Sequence, residues 1–563
     1  MTASNETAAG IDAVAAIEGV VDTIAASRIR SAVAILIVAL IAFLPGFKTV
    51  PPLDRDEPWL ALGSKYMVET GDYADAGFVK GPRLLQPIAI QWLQAASVAV
   101  FGDGAASPIW LYRLPSLLGA IAAAYATWWM ALAFGRPRAA LLAALLMATT
   151  PLLVAEAHLA KTDGIFLAAT VLAQGALARL WLRKDDRPDY RLAFVFWSAI
   201  GLGLLVKGLT APIIVALTIG VLSASAGSFD WLRRLAPAAG AVWLAILVAP
   251  WLLMIAFAGS GAPPDAALVE GIPEQQVYRA PPGTYAVLFY PLFGPAGVFV
   301  ALAIPTVLDE IRRPVFLFAV AWVVPFWLAM ELLPGKLPYY ILPTCPVLAL
   351  VGATAIDEGK ARVKGWVSTY FALNLSIWPL VVGSGAAILF FVAEERLPLA
   401  SLPFLVAAIV VGAYAFRWFY RETSIVGAAA LSLLSTLLIY VGLFGIVFPS
   451  LTSLQISGRL VSASKAAVTC DKPELVSTGY SEPSLVFYAG NGIRLVKPEE
   501  AADFLAAGGC RVAFVEERRQ SIFNQRAADI GVEFDVRDEV RGGGIGNWKS
   551  INMRVFAVEG QPF

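Results

Sequence analysis

Long apolar blocks recur along this chain at short intervals, each of about 17–25 residues, the length a helix needs to cross the hydrocarbon core of a bilayer. No water is available there to satisfy backbone N–H and C=O groups, so every block must close its own hydrogen bonds as a helix. Candidate spans fall at 31–47, 109–134, 138–155, 164–183, 191–207, 209–226, 236–258, 286–306, 315–332, 340–357, 368–393, 401–418 and 425–448. The stretch 87–103 is apolar but short and carries Gln91 and Gln94, so it reads as a helix lying near the surface. About thirteen crossings put the two termini on opposite sides. Composition agrees: 58% of residues are apolar and 15% charged, against about 25% charged in soluble domains, and mean hydropathy is +0.70.

Charge orients the helices. With the N-terminus inside, the inner connections hold Arg28 and Arg30, Arg136 and Arg138, Arg183, Lys184, Arg187 and Arg191, then Arg233 and Arg234. The series continues with Arg312 and Arg313, then Lys360, Arg362 and Lys364, and ends at Arg417 and Arg421. Every inner loop is basic, which is the bias that sets membrane topology. The first 27 residues lack a basic n-region and a long apolar core, so the first span reads as an uncleaved anchor behind a cytoplasmic tail, residues 1–30. Residues 31–448 form the membrane domain, with outer loops at 48–86 and 259–285.

From about 449 to 563 the pattern changes. Strand-like runs at 475–478, 484–488, 511–515 and 553–558 alternate with Gly-rich turns and a helix-like piece at 498–507, which predicts a small α/β domain outside the membrane. Cys470 and Cys510 both fall in it, and an oxidising compartment would permit them to pair or leave them as thiols; Cys345 reads as a small core residue. The run Gly542–Trp548 reads as a flexible loop.

On the outer side the sequence collects Asp56 and Glu57, Lys80, Arg83, Arg113, His158, Lys161, Asp163, Lys207, Arg279 and Lys336. A lone Lys or Arg at a helix end ordinarily snorkels to the interface. Together these residues describe a mixed site in which carboxylates accept a proton and cations hold a phosphate. His158 is the only histidine, which excludes a His-rich metal centre, and no Walker or dinucleotide loop appears, so the substrate must bring its own activation. The oxygen-rich loops are compatible with a divalent cation, although no spacing demands one. The zero net charge and the lack of a basic run point to no nucleic-acid partner.

Several segments resemble the GT-C glycosyltransferases that use polyprenyl-phosphate sugars, in the branch of the 4-amino-4-deoxy-L-arabinose transferases of lipid A and the rhizobial galacturonic-acid transferases. They are Arg55-Asp56-Glu57-Pro58-Trp59 with Met67 to Tyr73, Tyr112-Arg113-Leu114-Pro115, Ala160-Lys161-Thr162-Asp163, Val206-Lys207-Gly208, Pro334 to Pro343, Ala280 to Gly283 and Gly479 to Leu485. Each motif is weak alone; their order and topology are specific. The resemblance implies an all-α polytopic membrane fold and an inverting transfer with Asp56 as base. It makes Glu57 and Asp163 catalytic partners, and places Lys207, Lys336, Lys80, Arg83 and Arg113 around the donor phosphate. Gln86, Tyr339, Tyr340 and His158 would line the substrate cavity. One departure stands out: the family often has Lys where this chain has Gln86 before Pro87. Either Lys80 or Arg83 supplies the missing charge, or the donor phosphate is held differently.

The expected activity is therefore transfer of a sugar from a polyprenyl phosphate to lipid A, lipopolysaccharide or another envelope acceptor, in a bacterial inner membrane. A transporter or flippase of lipid-linked saccharide is the alternative. Transporters gather polar residues at the midplane and often repeat their halves, whereas here they gather at one surface without a repeat. A docking role for the outer domain is a third reading.

Overall fold

The computed structural model describes residues 15–52, 56–74, 87–185, 187–257, 279–361, 365–421, 424–490, 492–543 and 550–558. Lys80, Arg83, Gln86, most of the 259–285 loop and Gly544–Trp548 lie outside the described residues. Among those described, nine helices are long and apolar enough to span a membrane, or up to eleven if two bent pairs each count as one span. Every expected crossing is helical, yet the count of thirteen does not emerge. Thr210–Ala226 is a shorter apolar helix, and the 286–306 span is divided into Thr284–Phe293 and Pro295–Asp309. The short 87–103 stretch is the helix Ala89–Phe101, with Gln91 and Gln94 buried.

Two breaks position the site. Pro137–Ala148 and Pro151–Ala157 meet at a bend of 57°, where Pro151 cannot continue the ladder of hydrogen bonds. The second helix thereby delivers the turn 158–162 to the end of the bundle. Gly294 divides the later span in a backbone conformation (φ +63°, ψ −150°) that suits glycine, and a Cβ there would come within 2.9 Å of Pro151. Elsewhere the helices Ile109–Ala131 and Asp163–Leu182 approach through two glycines. A Cβ on Gly164 would lie 2.4 Å from the Ser116 carbonyl oxygen, and one on Gly119 would lie 2.4 Å from the Ile165 nitrogen. Small residues permit this backbone contact between membrane helices.

The C-terminal domain is a five-stranded sheet: β1 (Glu474–Thr478), β2 (Arg494–Leu495), β3 (Arg511–Glu516), β4 (Val536–Gly543) and β5 (Ser550–Val558), in the order β2-β1-β3-β5-β4. β1 runs parallel to β2 and β3, and β5 pairs antiparallel with β3 and β4. Alternation sorts β3: Val512 and Phe514 face one layer, Ala513 and Val515 the other. The expected strand at 484–488 is instead the helix Pro483–Ala489. Pro483 suits the first turn of a helix, and the continuous apolar run behind it carries no period of two. The piece expected at 498–507 is the helix Pro498–Ala506, and Gly542 and Gly543 end β4 rather than a loop. Cys470 and Cys510 form a disulfide across 40 residues, with a Cα–Cα separation of 6.4 Å.

The first layer is continuous with the membrane domain: Leu485, Phe514 and Val555 share one apolar cluster with Ala61, Leu62, Tyr112 and Ala160. Lys65 adds a polar clamp, its Nζ donating to the Phe487 carbonyl at 2.9 Å. Burial pushes the Lys65 ammonium below its usual pKa, opposed by Glu69. The helix Asp56–Thr70 is thus gripped by the domain along its length.

Candidate active site

Asp56 and Glu57 open the helix Asp56–Thr70, where unpaired N–H groups favour carboxylates. As neighbours on a helix, the two side chains diverge. Glu57 turns inward and is wholly buried against Arg113. Arg113 donates from Nε to Glu57 Oε1 at 2.5 Å and from Nη2 to Oε2 at 3.0 Å. Its remaining donors reach the carbonyls of Phe47, Val50 and Pro51. Glu57 Oε1 also accepts the Ala160 N–H at 3.0 Å. One buried pair therefore fastens the segment before Asp56 to the turn that carries Lys161.

Asp56 turns the other way and keeps 22% of its side chain exposed. Its Oδ2 lies 3.8 Å from Lys161 Nζ, which lies 3.7 Å from Glu156 Oε1. Ser116 Oγ locks the Lys161 backbone, donating to its carbonyl at 2.7 Å and accepting its N–H at 3.1 Å. A second acid–base pair joins Asp163, in the first turn of Asp163–Leu182, to Lys207 at the end of Tyr190–Lys207. Both ammonium groups approach the ring of Tyr339, Lys161 at 4.1 Å and Lys207 at 4.6 Å from its centre. Tyr340 packs edge-on against Tyr339 at 5.2 Å. The result is two carboxylate–ammonium pairs meeting at one aromatic ring.

His158 and Lys336 serve the walls. The His158 ring nitrogens lie 2.7 Å from the Val154 carbonyl and 2.9 Å from that of Pro45, and the ring stacks on Phe444 at 4.2 Å. Lys336 Nζ donates to the carbonyls of Met330, Glu331 and Leu333, closing the end of the helix Pro314–Leu332. Glu331 in turn accepts the N–H groups of Gly283 and Tyr285, holding the segment after the second loop.

Residues 85–254 match the family model described as dolichyl-phosphate-mannose-protein mannosyltransferase. The chain is 26% identical over 443 residues to the undecaprenyl phosphate-alpha-4-amino-4-deoxy-L-arabinose arabinosyl transferase of Aeromonas salmonicida, covering 74% of this chain and 78% of that protein. With the protein of the same name from Aeromonas hydrophila it shares 24% identity over the same proportions. The crystal structure of ArnT from Cupriavidus metallidurans superposes with a TM-score of 0.69 at 18% identity, over 93% of this chain and 97% of that one. A second structure of that protein, bound to undecaprenyl phosphate, matches with a TM-score of 0.69 at 17% identity and the same coverage. The chain shares the fold of ArnT and is similar to polyprenyl-phosphate glycosyltransferases.

The structure brings together Asp56, Lys161, Asp163, Lys207, Tyr339 and Tyr340 of the residues singled out by sequence. It sets Glu57, Arg113, His158 and Lys336 in the buried frame around them. Glu156 was missed: the expected span closed at 155, and the carboxylate just beyond it read as no more than a helix end. Its spacing of five residues from Lys161 was the available signal. Among the described residues no group of His, Cys, Asp and Glu could hold a metal ion.

Proposed function

We propose that this membrane glycosyltransferase moves a sugar from a polyprenyl phosphate to lipid A, lipopolysaccharide or another envelope acceptor, at the outer face of a bacterial inner membrane. The observation that carries the reading is Asp56: a carboxylate on the open side of the cluster, within ion-pair range of Lys161 and beside a second acid–base pair. Its fold likeness to a protein crystallised with undecaprenyl phosphate, and its curated relatives that use an undecaprenyl-phosphate sugar, support the donor class. The basic connections support an N-terminus inside and a C-terminal domain outside.

In the mechanism, the acceptor's hydroxyl oxygen attacks the anomeric carbon while Asp56 takes its proton. The bond from that carbon to the phosphate oxygen breaks, its electron pair leaving with the polyprenyl phosphate. Lys161 and Lys207 supply positive charge where the phosphate develops negative charge. Arg113 and Lys336, whose donors are committed to protein groups, act as positioning residues for the loops. Lys80 and Arg83 remain candidates for the donor phosphate, which would replace the charge missing at Gln86.

Asp56→Asn tests the reading. Purified protein reconstituted with a polyprenyl-phosphate sugar and lipid A should lose transfer by about 10²–10⁴-fold with its thermal melt preserved. Full transfer by a folded Asp56→Asn protein would remove the mechanism.

A further inference from the structure

Gln91 and Gln94 lie three residues apart on the helix Ala89–Phe101, hence on one face and about 4.5 Å apart along its axis. Gln94 is wholly buried and used at both ends of its amide. Its Oε1 accepts from Ser64 Oγ at 2.6 Å and its Nε2 donates to the Ala160 carbonyl at 3.0 Å. Gln91 is only 6% exposed, and its Oε1 is sealed from solvent with no hydrogen-bond partner among the described residues. A buried amide oxygen left unpaired is costly, and leucine would have served the helix without that cost.

The helix meets the site on both sides of Gln91. Gln94 fastens it to the turn that leads into Asp163. Pro87, just ahead of the helix, packs at the corner after Lys207, where a Cβ on Gly208 would lie 3.8 Å from its Cγ. The Asp163–Lys207 pair joins that turn to that corner. Gln91 lies between the two contacts, on the face that Gln94 presents to the turn. We propose that the Gln91 carboxamide binds the sugar of the polyprenyl-phosphate donor, beside the phosphate at Lys207; this rests on the function proposed above. An amide suits the sugar better than the phosphate. It brings no charge, but from one plane it offers two donors and an acceptor, a set that hydroxyl or amino groups on adjacent ring carbons can meet. Lys207 supplies the charge, and Gln91 discriminates among sugars as a specificity residue.

Two ligands separate sugar from phosphate: undecaprenyl phosphate carrying a pentose or hexose that the wild-type protein transfers, and bare undecaprenyl phosphate as an inhibitor of that transfer. Gln91→Met keeps the length of the side chain and removes both polar atoms. It should lower kcat/KM for the sugar-bearing donor about 10–100-fold and leave inhibition by bare undecaprenyl phosphate within about twofold. Its melt should equal or exceed that of wild type, since no unpaired oxygen remains. An unchanged kcat/KM in the folded variant would overturn the proposal and leave Gln91 to packing or an internal water. Equal losses for the two ligands would overturn it as well, because the sugar would then add nothing. Should Gln91→Met fail to fold, Gln91→Asn, which keeps the amide but draws it back by one methylene, decides by the same two constants. Failure of the wild-type protein to transfer from any polyprenyl-phosphate sugar would instead sink the function beneath it, so the two failures are separable.

Discussion

Arg113 and Glu57 meet as a bidentate pair in the dry interior, with both side chains wholly buried and the guanidinium's other donors spent on the carbonyls of Phe47, Val50 and Pro51. Nothing on Arg113 is left to hold a phosphate. Arg113→Ala strands a buried carboxylate and should cost about 3–5 kcal/mol. The expected result is a collapsed yield or a much lower thermal melt in detergent. A normal melt with a selectively raised donor KM would instead make Arg113 a phosphate ligand.

Asp163 and Lys207 form the second pair at Tyr339. If Lys207 supports the leaving phosphate, Lys207→Gln should lower kcat by about 10²–10³-fold, a typical loss for one electrostatic group. Asp163→Asn should cost less alone and little more in the double variant, since the two act as a unit. Single-turnover transfer by all three proteins measures this; fully multiplicative losses would separate the roles.

Gly164 sits where the helices Ile109–Ala131 and Asp163–Leu182 touch backbone to backbone. Gly164→Ala puts a methyl group 2.4 Å from the Ser116 carbonyl oxygen, which cannot move aside as a side chain would. The helices must separate, at about 1–3 kcal/mol or more. Ser116 also locks Lys161, so transfer should fall together with the melting temperature. A melt within a degree of wild type would refute the close contact.

At the other end of the bundle Arg313, hydrogen-bonded to Glu358, holds that carboxyl down to about 2, with Lys360 assisting. A depressed carboxylate contributes stability that is complete above its ordinary value of 4.5 and disappears as pH falls through about 2. Glu358→Gln should therefore lower the melt by about 2–5 °C at pH 7, with the gap to wild type narrowing below pH 4. A gap independent of pH between 7 and 3 would exclude this pairing.

Much of the membrane domain was legible because the hydrocarbon core leaves a chain few choices. An apolar run such as 366–394 can only be a helix there, and the sequence shows it without help. Asp56, Asp163 and Lys207 stood out for a related reason: charge at the end of an apolar helix carries a desolvation cost and so draws notice. Segment 484–488 was misread because a short apolar run fits a strand or a buried helix equally, and packing against the helix Asp56–Thr70 decided between them. Glu156 escaped because a lone carboxylate at a helix end is ordinary until Lys161 is seen beside it.

What the sequence determined by itself, then, was the succession of helices, the change to an α/β domain near 449, and the residue types available for proton transfer and anion binding. These follow from local composition and period, which each segment carries within it. Only the tertiary structure divided the charged residues between those spent on the buried frame and those gathered in one cluster. Arg113, His158 and Lys336 are spent on backbone carbonyls contributed by other segments, while Asp56, Lys161, Asp163 and Lys207 converge on Tyr339. A cation's role depends on which acceptors reach it first, and those acceptors are distant in the chain.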